Sequence, residues 1–263
     1  ADSSEEVKMA VCEDTLIAVL PSGVLKEVPK KEYIYNQTKR ARRDEKIFAD
    51  KTMDSIKAIW PFSQSADKIV ISREGTAWYL LAEVSAEEFL QADEWEECRG
   101  TLAAGGLMIP CEKDADSLIC GAQNGDLVRL PAEKLCAWQG RQQIVRIGEA
   151  PLAAACFCMA TDDILLISEK GQALRTHVSD LYRRVDIGGG LTKGMRMKTG
   201  TDDRLRCCLV YQPKRSLTAI SQQRKLLVLR VDGEEKAQLR AQGHVGEGVC
   251  LVHVEGSDGV ADV

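Results

Sequence analysis

One phrase recurs along the chain and limits what it can become: an apolar run, a turn centred on glycine, and a second apolar run. It reads TLIAVLPSGVLKEV around Gly23, KIVISREGTAWYL around Gly75, SLICGAQNGDLVRL around Gly125 and ILLISEKGQALRT around Gly171. A fifth copy, SLTAISQQRKLLVL, carries Arg224 where the others have glycine. These turn positions follow one another at 52, 50, 46 and 53 residues, a regularity that marks a repeat architecture. Glycine at four of the five turns predicts a left-handed backbone there, and Arg224 predicts a weaker or different turn.

Each unit continues with a long polar connection and a third apolar strand. The third strands are expected at Ser55–Phe62, Thr101–Pro110, Ala153–Met159, Leu205–Tyr211 and Gly248–Val254. A sheet of three or four short strands cannot bury both faces alone, so five such units must pack against their neighbours. The period points to a radial, propeller-like disc, with a linear solenoid as the structural alternative. Only Ser85–Glu97 has a helical pattern, with Ser85 placed to cap Glu87 and Glu88.

Composition agrees with many short strands. Aromatic residues make up 5% of the chain, which leaves the packing to Val, Leu, Ile, Ala and Cys. Ten cysteines lie largely within apolar strand-like runs, as Cys156, Cys158, Cys207, Cys208 and Cys250 do, and read as reduced core residues. No paired C-x-x-C spacing supports a metal site, and no cofactor is expected. The longest strongly apolar run, Pro151–Ala160, is half of the roughly 20 residues a membrane helix needs, so no membrane contact and a cytoplasmic location are expected.

The net charge of −5 hides a strong asymmetry. Nine Lys/Arg face five Asp/Glu between Gly23 and Lys51, and ten face four between Gly171 and Arg215, whereas Glu83–Ile119 has two against ten. Neither His177, His244 and His253 nor the adjacent carboxylates Asp162–Asp163 and Asp202–Asp203 form a catalytic pattern. Local hydrogen bonding and turn roles are expected for them. Trp60, Trp78, Trp95 and Trp138 are expected to pack or to sit at strand edges rather than to stack on bases.

The hairpin phrases, together with GGGLTKGMRMKTGTDD at Gly188–Asp203, resemble the C-terminal domain of the A subunit of bacterial type IIA topoisomerases, DNA gyrase and topoisomerase IV. Gly190, Gly194, Met195, Met197 and Gly200 match that family's G-x-x-G-hydrophobic-x-hydrophobic-x-x-G segment. The resemblance runs from about Cys12 to His253. It implies an all-β fold, a propeller-like β-pinwheel of about five blades over residues 12–256. Residues 1–11 would be a leader from a preceding domain and 257–263 a tail.

It further implies a non-catalytic domain that binds, bends or wraps double-stranded DNA. Its partners would be the remainder of the A subunit and the ATPase B subunit of an ATP-dependent enzyme. The loop matching the family's gyrase box, YIYNQTKRARRDEK at Tyr33–Lys46, is basic but holds no glycine, so topoisomerase IV is the better match and gyrase the other.

A wrapped duplex needs a curved track of cations. Lys26, Arg129 and Arg175, three or four residues past their turns, are expected to present cations from equivalent geometry. The first unit adds Lys30, Lys31, Lys39, Arg40, Arg42 and Arg43. The third adds Lys134 and Arg141, and the fourth Arg183, Arg184, Lys193, Arg196 and Lys198. The rival readings are a propeller that binds a protein partner without DNA and, more distantly, an enzyme built on a propeller; the bland reading of the cations is that they keep strand edges soluble.

Overall fold

A computed structural model describes residues 15–29, 57–135, 140–180, 184–212, 216–221, 226–230, 241–242, 246–251 and 259–262. The five hairpins are present and share one register. They are β1 (Thr15–Val19) with β2 (Leu25–Pro29), β4 (Lys68–Ile71) with β5 (Thr76–Leu80), and β7 (Ser117–Ala122) with β8 (Leu127–Pro131). The last two are β12 (Asp163–Ser168) with β13 (Gln172–His177) and β16 (Ser216–Ser221) with β17 (Leu226–Arg230). In every hairpin the residue six before the turn position faces the one four after it: Ile17–Glu27, Ile69–Tyr79, Ile119–Arg129, Leu165–Arg175 and Thr218–Val228.

A third strand pairs antiparallel with the first strand of each hairpin: β3 (Ala58–Phe62), β6 (Leu107–Pro110), β11 (Leu152–Cys158), β15 (Leu205–Val210) and β19 (Val260–Asp262). These five strands touch in succession, β3 to β6 to β11 to β15 to β19, and β19 meets β3 again. The repeat therefore closes into a ring with the third strands innermost, which excludes the linear solenoid. Two expected third strands differ. The span Thr101–Pro110 begins as helix and only becomes strand at Leu107, and the fifth sheet takes Val260–Asp262 rather than Gly248–Val254.

Inner hairpin strands are apolar on both faces because each face belongs to a different neighbour. In β7, Leu118 and Cys120 pack with Ile69, Ile71 and Leu107 of the second sheet, while Ile119 packs with Ile164, Leu166 and Leu205 of the fourth. In β12 the alternate residues Leu165 and Ile167 turn instead toward the fifth sheet and Val260. This double burial explains why the runs read as continuous hydrophobic phrases instead of alternating ones.

Neighbouring units also exchange strands. The connector after the third hairpin sends β9 (Arg141–Gln143) to the outer edge of β5, and the connector after the fifth sends β18 (Val249–Cys250) to β13. Thr192, in the connector after the fourth hairpin, bridges to Leu127 of β8, and the same connector pairs β14 (Gly189–Gly190) with β10 (Val145–Arg146) in parallel. Blades two, three and four thus each receive an outer segment from the following connector.

The first blade is different. Its outer side is covered by α1 (Ala86–Gln91) and α2 (Glu96–Ala103), which bury Ala86, Phe89, Cys98 and Leu102 against Ile17, Val19, Phe62 and Leu80. Ser85 caps α1 in a capping box with Glu88, as the sequence suggests.

The exchange places backbone over the turn glycines. Gly23, Gly75, Gly125 and Gly171 have φ between 85° and 90°. A Cβ at Gly75 would lie 2.3 Å from the Val145 carbonyl oxygen, and one at Gly125 would lie 1.9 Å from that of Met195. At Gly23 a Cβ would meet only the Ala103 Cβ, at 3.6 Å. Gly23→Ala should therefore cost only the left-handed penalty, about 1–2 kcal/mol. Gly125→Ala adds overpacking worth about 1–3 kcal/mol more, a difference that urea unfolding of the two variants will read.

Candidate nucleic-acid interface

Strand register corrects the expected trio of equivalent cations. Arg129 and Arg175 both lie four residues past their glycines, but Lys26 lies three past and shares its register with Val128 and Leu174, on the opposite face of the strand. Glu27 occupies the matching position in the first blade.

In blades two, three and four the residue at the four-past position is tethered to the start of the inner strand. Tyr79 Oη donates to Asp67. Arg129 Nε donates to Ser117 Oγ at 2.8 Å, and its guanidinium lies 3.7 Å from Asp116. Arg175 Nε donates to Asp163 Oδ2 at 2.7 Å while its guanidinium covers the Tyr211 ring at 4.0 Å. With side chains only 13% and 25% exposed, Arg129 and Arg175 join strands rather than face outward. Asp163, expected in a turn role, instead sits in β12 and also pairs with His177 Nδ1, a local hydrogen bond of the kind foreseen for that histidine.

Three further cations meet carboxylates at the surface. Lys134 Nζ lies 2.7 Å from Asp186, and Arg184 lies 3.2 Å from Glu133. Arg141, on the outer edge of the second blade, lies 3.0 Å from Glu97 and over the Trp78 ring, with Trp78 Nε1 donating to the same carboxylate. Arg141 thereby adjoins the acidic helical sector instead of lying apart from it.

The fourth-unit cations Lys193, Arg196 and Lys198 are exposed along the segment that crosses the third blade's edge. Arg196 is 3.7 Å from Glu247 with both side chains more than half exposed, a pair worth at most about 1 kcal/mol. Lys30, Lys31, Lys39, Arg40, Arg42, Arg43 and Arg183 lie outside the described residues, as do the loop Tyr33–Lys46 and Arg224.

Sequence reasoning passed over one cation. Gln142 faces Ala77 and Thr192 faces Leu127, each two residues past a turn glycine, so the exchanged segments align residue for residue. Arg146 then falls at the position of Arg196, each following the residue whose carbonyl covers the glycine. Both arginines are exposed, and Val145 and Met195 before them are buried. The signal was the pattern Val145-Arg146-Ile147, which repeats as Met195-Arg196-Met197 and Val252-His253-Val254; His253 lies outside the described residues.

Other expectations meet mixed outcomes. Asp203 holds the fourth turn by accepting from Ser168 Oγ and Lys170 N, at 2.6 and 2.9 Å. Cys158 and Cys207 are buried, but Cys250 is exposed on β18. Among the described residues no group of three or more His, Cys, Asp or Glu is arranged to hold a metal ion, and no helix is long and apolar enough to cross a membrane.

The tethers set an acid response. The Tyr79 hydrogen bond holds the Asp67 carboxyl below its ordinary value of 3.8, outweighing burial. A depressed folded-state pKa contributes stability above the unfolded value that is lost as pH falls through the folded one. Tyr79→Phe should therefore be less stable than the parent chain at neutral pH. That gap should narrow below pH 3.8, as urea midpoints measured across the acid range will show.

Comparison with known proteins gives structural matches only: no protein-family model matches the chain, and no curated protein matches it in sequence. A crystal structure of the C-terminal domain of DNA topoisomerase IV superposes with a TM-score of 0.52 at 13% identity, covering 94% of this chain and 76% of that one. A structure of the DNA gyrase A C-terminal domain superposes with a TM-score of 0.54 at 13% identity, covering 94% of this chain and 98% of that one. The chain has the β-pinwheel fold of these topoisomerase C-terminal domains, and its described residues form five blades in a closed ring.

Proposed function

We propose that the chain is a non-catalytic domain of a type IIA topoisomerase A subunit that binds and bends duplex DNA along its rim. The observation that carries this reading is the equivalence of Arg146 and Arg196, which present exposed cations from matching positions on successive exchanged segments. Lys193 and Lys198 flank the second of them. Regular blade spacing gives such cations a curved path, and each phosphate they neutralise releases condensed counterions. The contacts position the duplex without reading its sequence.

The basic segment Lys26–Lys46 would extend the track on the first blade, and the lack of glycine in its loop Tyr33–Lys46 favours a topoisomerase IV-like role over a gyrase-like one. The rest of the A subunit and the ATPase B subunit would supply cleavage and ATP chemistry in the cytoplasm. Arg129 and Arg175 drop to structural roles, because contact with DNA would require breaking their cross-strand bonds.

Affinity for a duplex of roughly 100 bp, measured across a salt series, tests the reading: log affinity should fall linearly with log salt, by about 0.9 per phosphate contact. Arg146→Gln and Arg196→Gln should each weaken binding and each lower that slope by close to one contact. Arg175→Ala should leave the slope unchanged while reducing stability. A flat salt response would instead favour the protein-binding propeller.

A further inference from the structure

Cys156 of β11 and Cys208 of β15 belong to neighbouring blades, yet their sulfurs lie 3.0 Å apart. Cys156 faces Ile119 in the third sheet and Cys208 faces Leu166 in the fourth, beside the apolar cluster that joins the two. No ladder hydrogen bonds link β11 to β15, because they lie in different sheets and meet only through side chains around the ring. We propose that Cys156 and Cys208 form a reversible oxidation site, closing to a disulfide that staples the third and fourth blades near the axis.

The geometry requires little movement. A disulfide holds its sulfurs at about 2.05 Å, so the pair must close by only about 1 Å across an interface free of backbone ladders. Both residues are partly rather than fully buried. Cys158, two residues along β11, is fully buried, and Cys207 turns to the other face, among Leu165, Ile167 and Val260. Cys207 therefore lies apart from the pair, while Cys158 adjoins Cys156 along the same strand and is the competitor that a peptide map must exclude.

The chemistry balances with a peroxide as oxidant. The Cys208 thiolate attacks one peroxide oxygen, an S–O bond forms as the O–O bond breaks, and water leaves after protonation. The Cys156 sulfur then displaces the sulfenic hydroxyl: the S–S bond forms, the S–O bond breaks, and a second water departs. Two thiols have lost two electrons and two protons to one peroxide. Although the Cys158 hydrogen bond lowers the pKa of the Cys156 thiol, the Cys208 hydrogen bond and burial outweigh it and hold the thiol well above its ordinary value, so the second step should quicken as pH rises.

The bond would close a long loop spanning the fourth hairpin, which constrains the unfolded chain and raises stability. Treating the folded full chain with dilute hydrogen peroxide and mapping unreduced peptides by mass spectrometry tests this. A Cys156–Cys208 cross-link is expected, reversed by dithiothreitol, with the oxidised chain melting several degrees above the reduced one. Cys208→Ser should show neither the link nor the shift, and Cys207→Ser should keep both. Free thiols, over-oxidised single cysteines, a link through Cys158 or Cys207, or the same mixture that urea-unfolded chain gives, would overturn the proposal. The map of the parent chain decides it even if Cys208→Ser fails to fold, and independently of whether the rim binds DNA.

Discussion

The close passage of one unit's connector over the preceding hairpin's turn holds this architecture together. Ile144 N donates to the Gly75 carbonyl at 2.9 Å, Thr192 and Leu127 exchange backbone hydrogen bonds at 2.8 and 2.7 Å, and Leu251 N donates to the Gly171 carbonyl at 2.9 Å. These contacts satisfy edge groups that would otherwise face solvent and tie blades two, three, four and five in succession. They also demand a turn residue without Cβ wherever a carbonyl oxygen would lie within about 2 Å of one, as it would at Gly125. Beside the first blade α1 packs against β2 and Ala103 lies by the turn, and there the glycine answers to backbone conformation alone.

The same exchange organises charge. Along each exchanged segment the two residues before the arginine, Ile144–Val145 and Gly194–Met195, are buried, while Arg146 and Arg196 reach solvent. Cations placed by the hairpins themselves have the opposite fate. Four residues past the turn, an outer-strand side chain stands beside the start of the inner strand, where Asp67, Asp116 or Asp163 waits for it. At Asp116 burial pushes the carboxyl up, but hydrogen bonds from Ser117 and Ala160 and the charges of Arg129 and Arg184 outweigh it and keep the carboxyl below its ordinary value. One family of arginines therefore stiffens the disc, and another lines its rim.

Much of this was legible in the chain. The period, the glycine-centred turns, the capped start at Ser85 and the all-β disc follow from local preferences that each repeat states again, and repetition makes such weak signals strong. The end of the acidic stretch was not legible, because the residues from Glu96 to Ala103 are held as a helix by the apolar cluster shared between the first and second blades. The last strand escaped as well: Val260–Asp262 is three residues long and acquires meaning only as the partner of β16.

The sequence by itself determined that five hairpins must share buried faces, since runs such as ILLIS are too apolar to leave either side in water. Tertiary structure alone decided which connector covers which hairpin, that the ring closes through β19 and β3, and which cations remain exposed. Strand exchange and ring closure depend on contacts between residues more than about 50 positions apart, whereas within a hairpin a one-residue difference in register moves a side chain to the opposite face. Lys26 and Arg129 look alike in the repeat and lie on opposite faces for that reason.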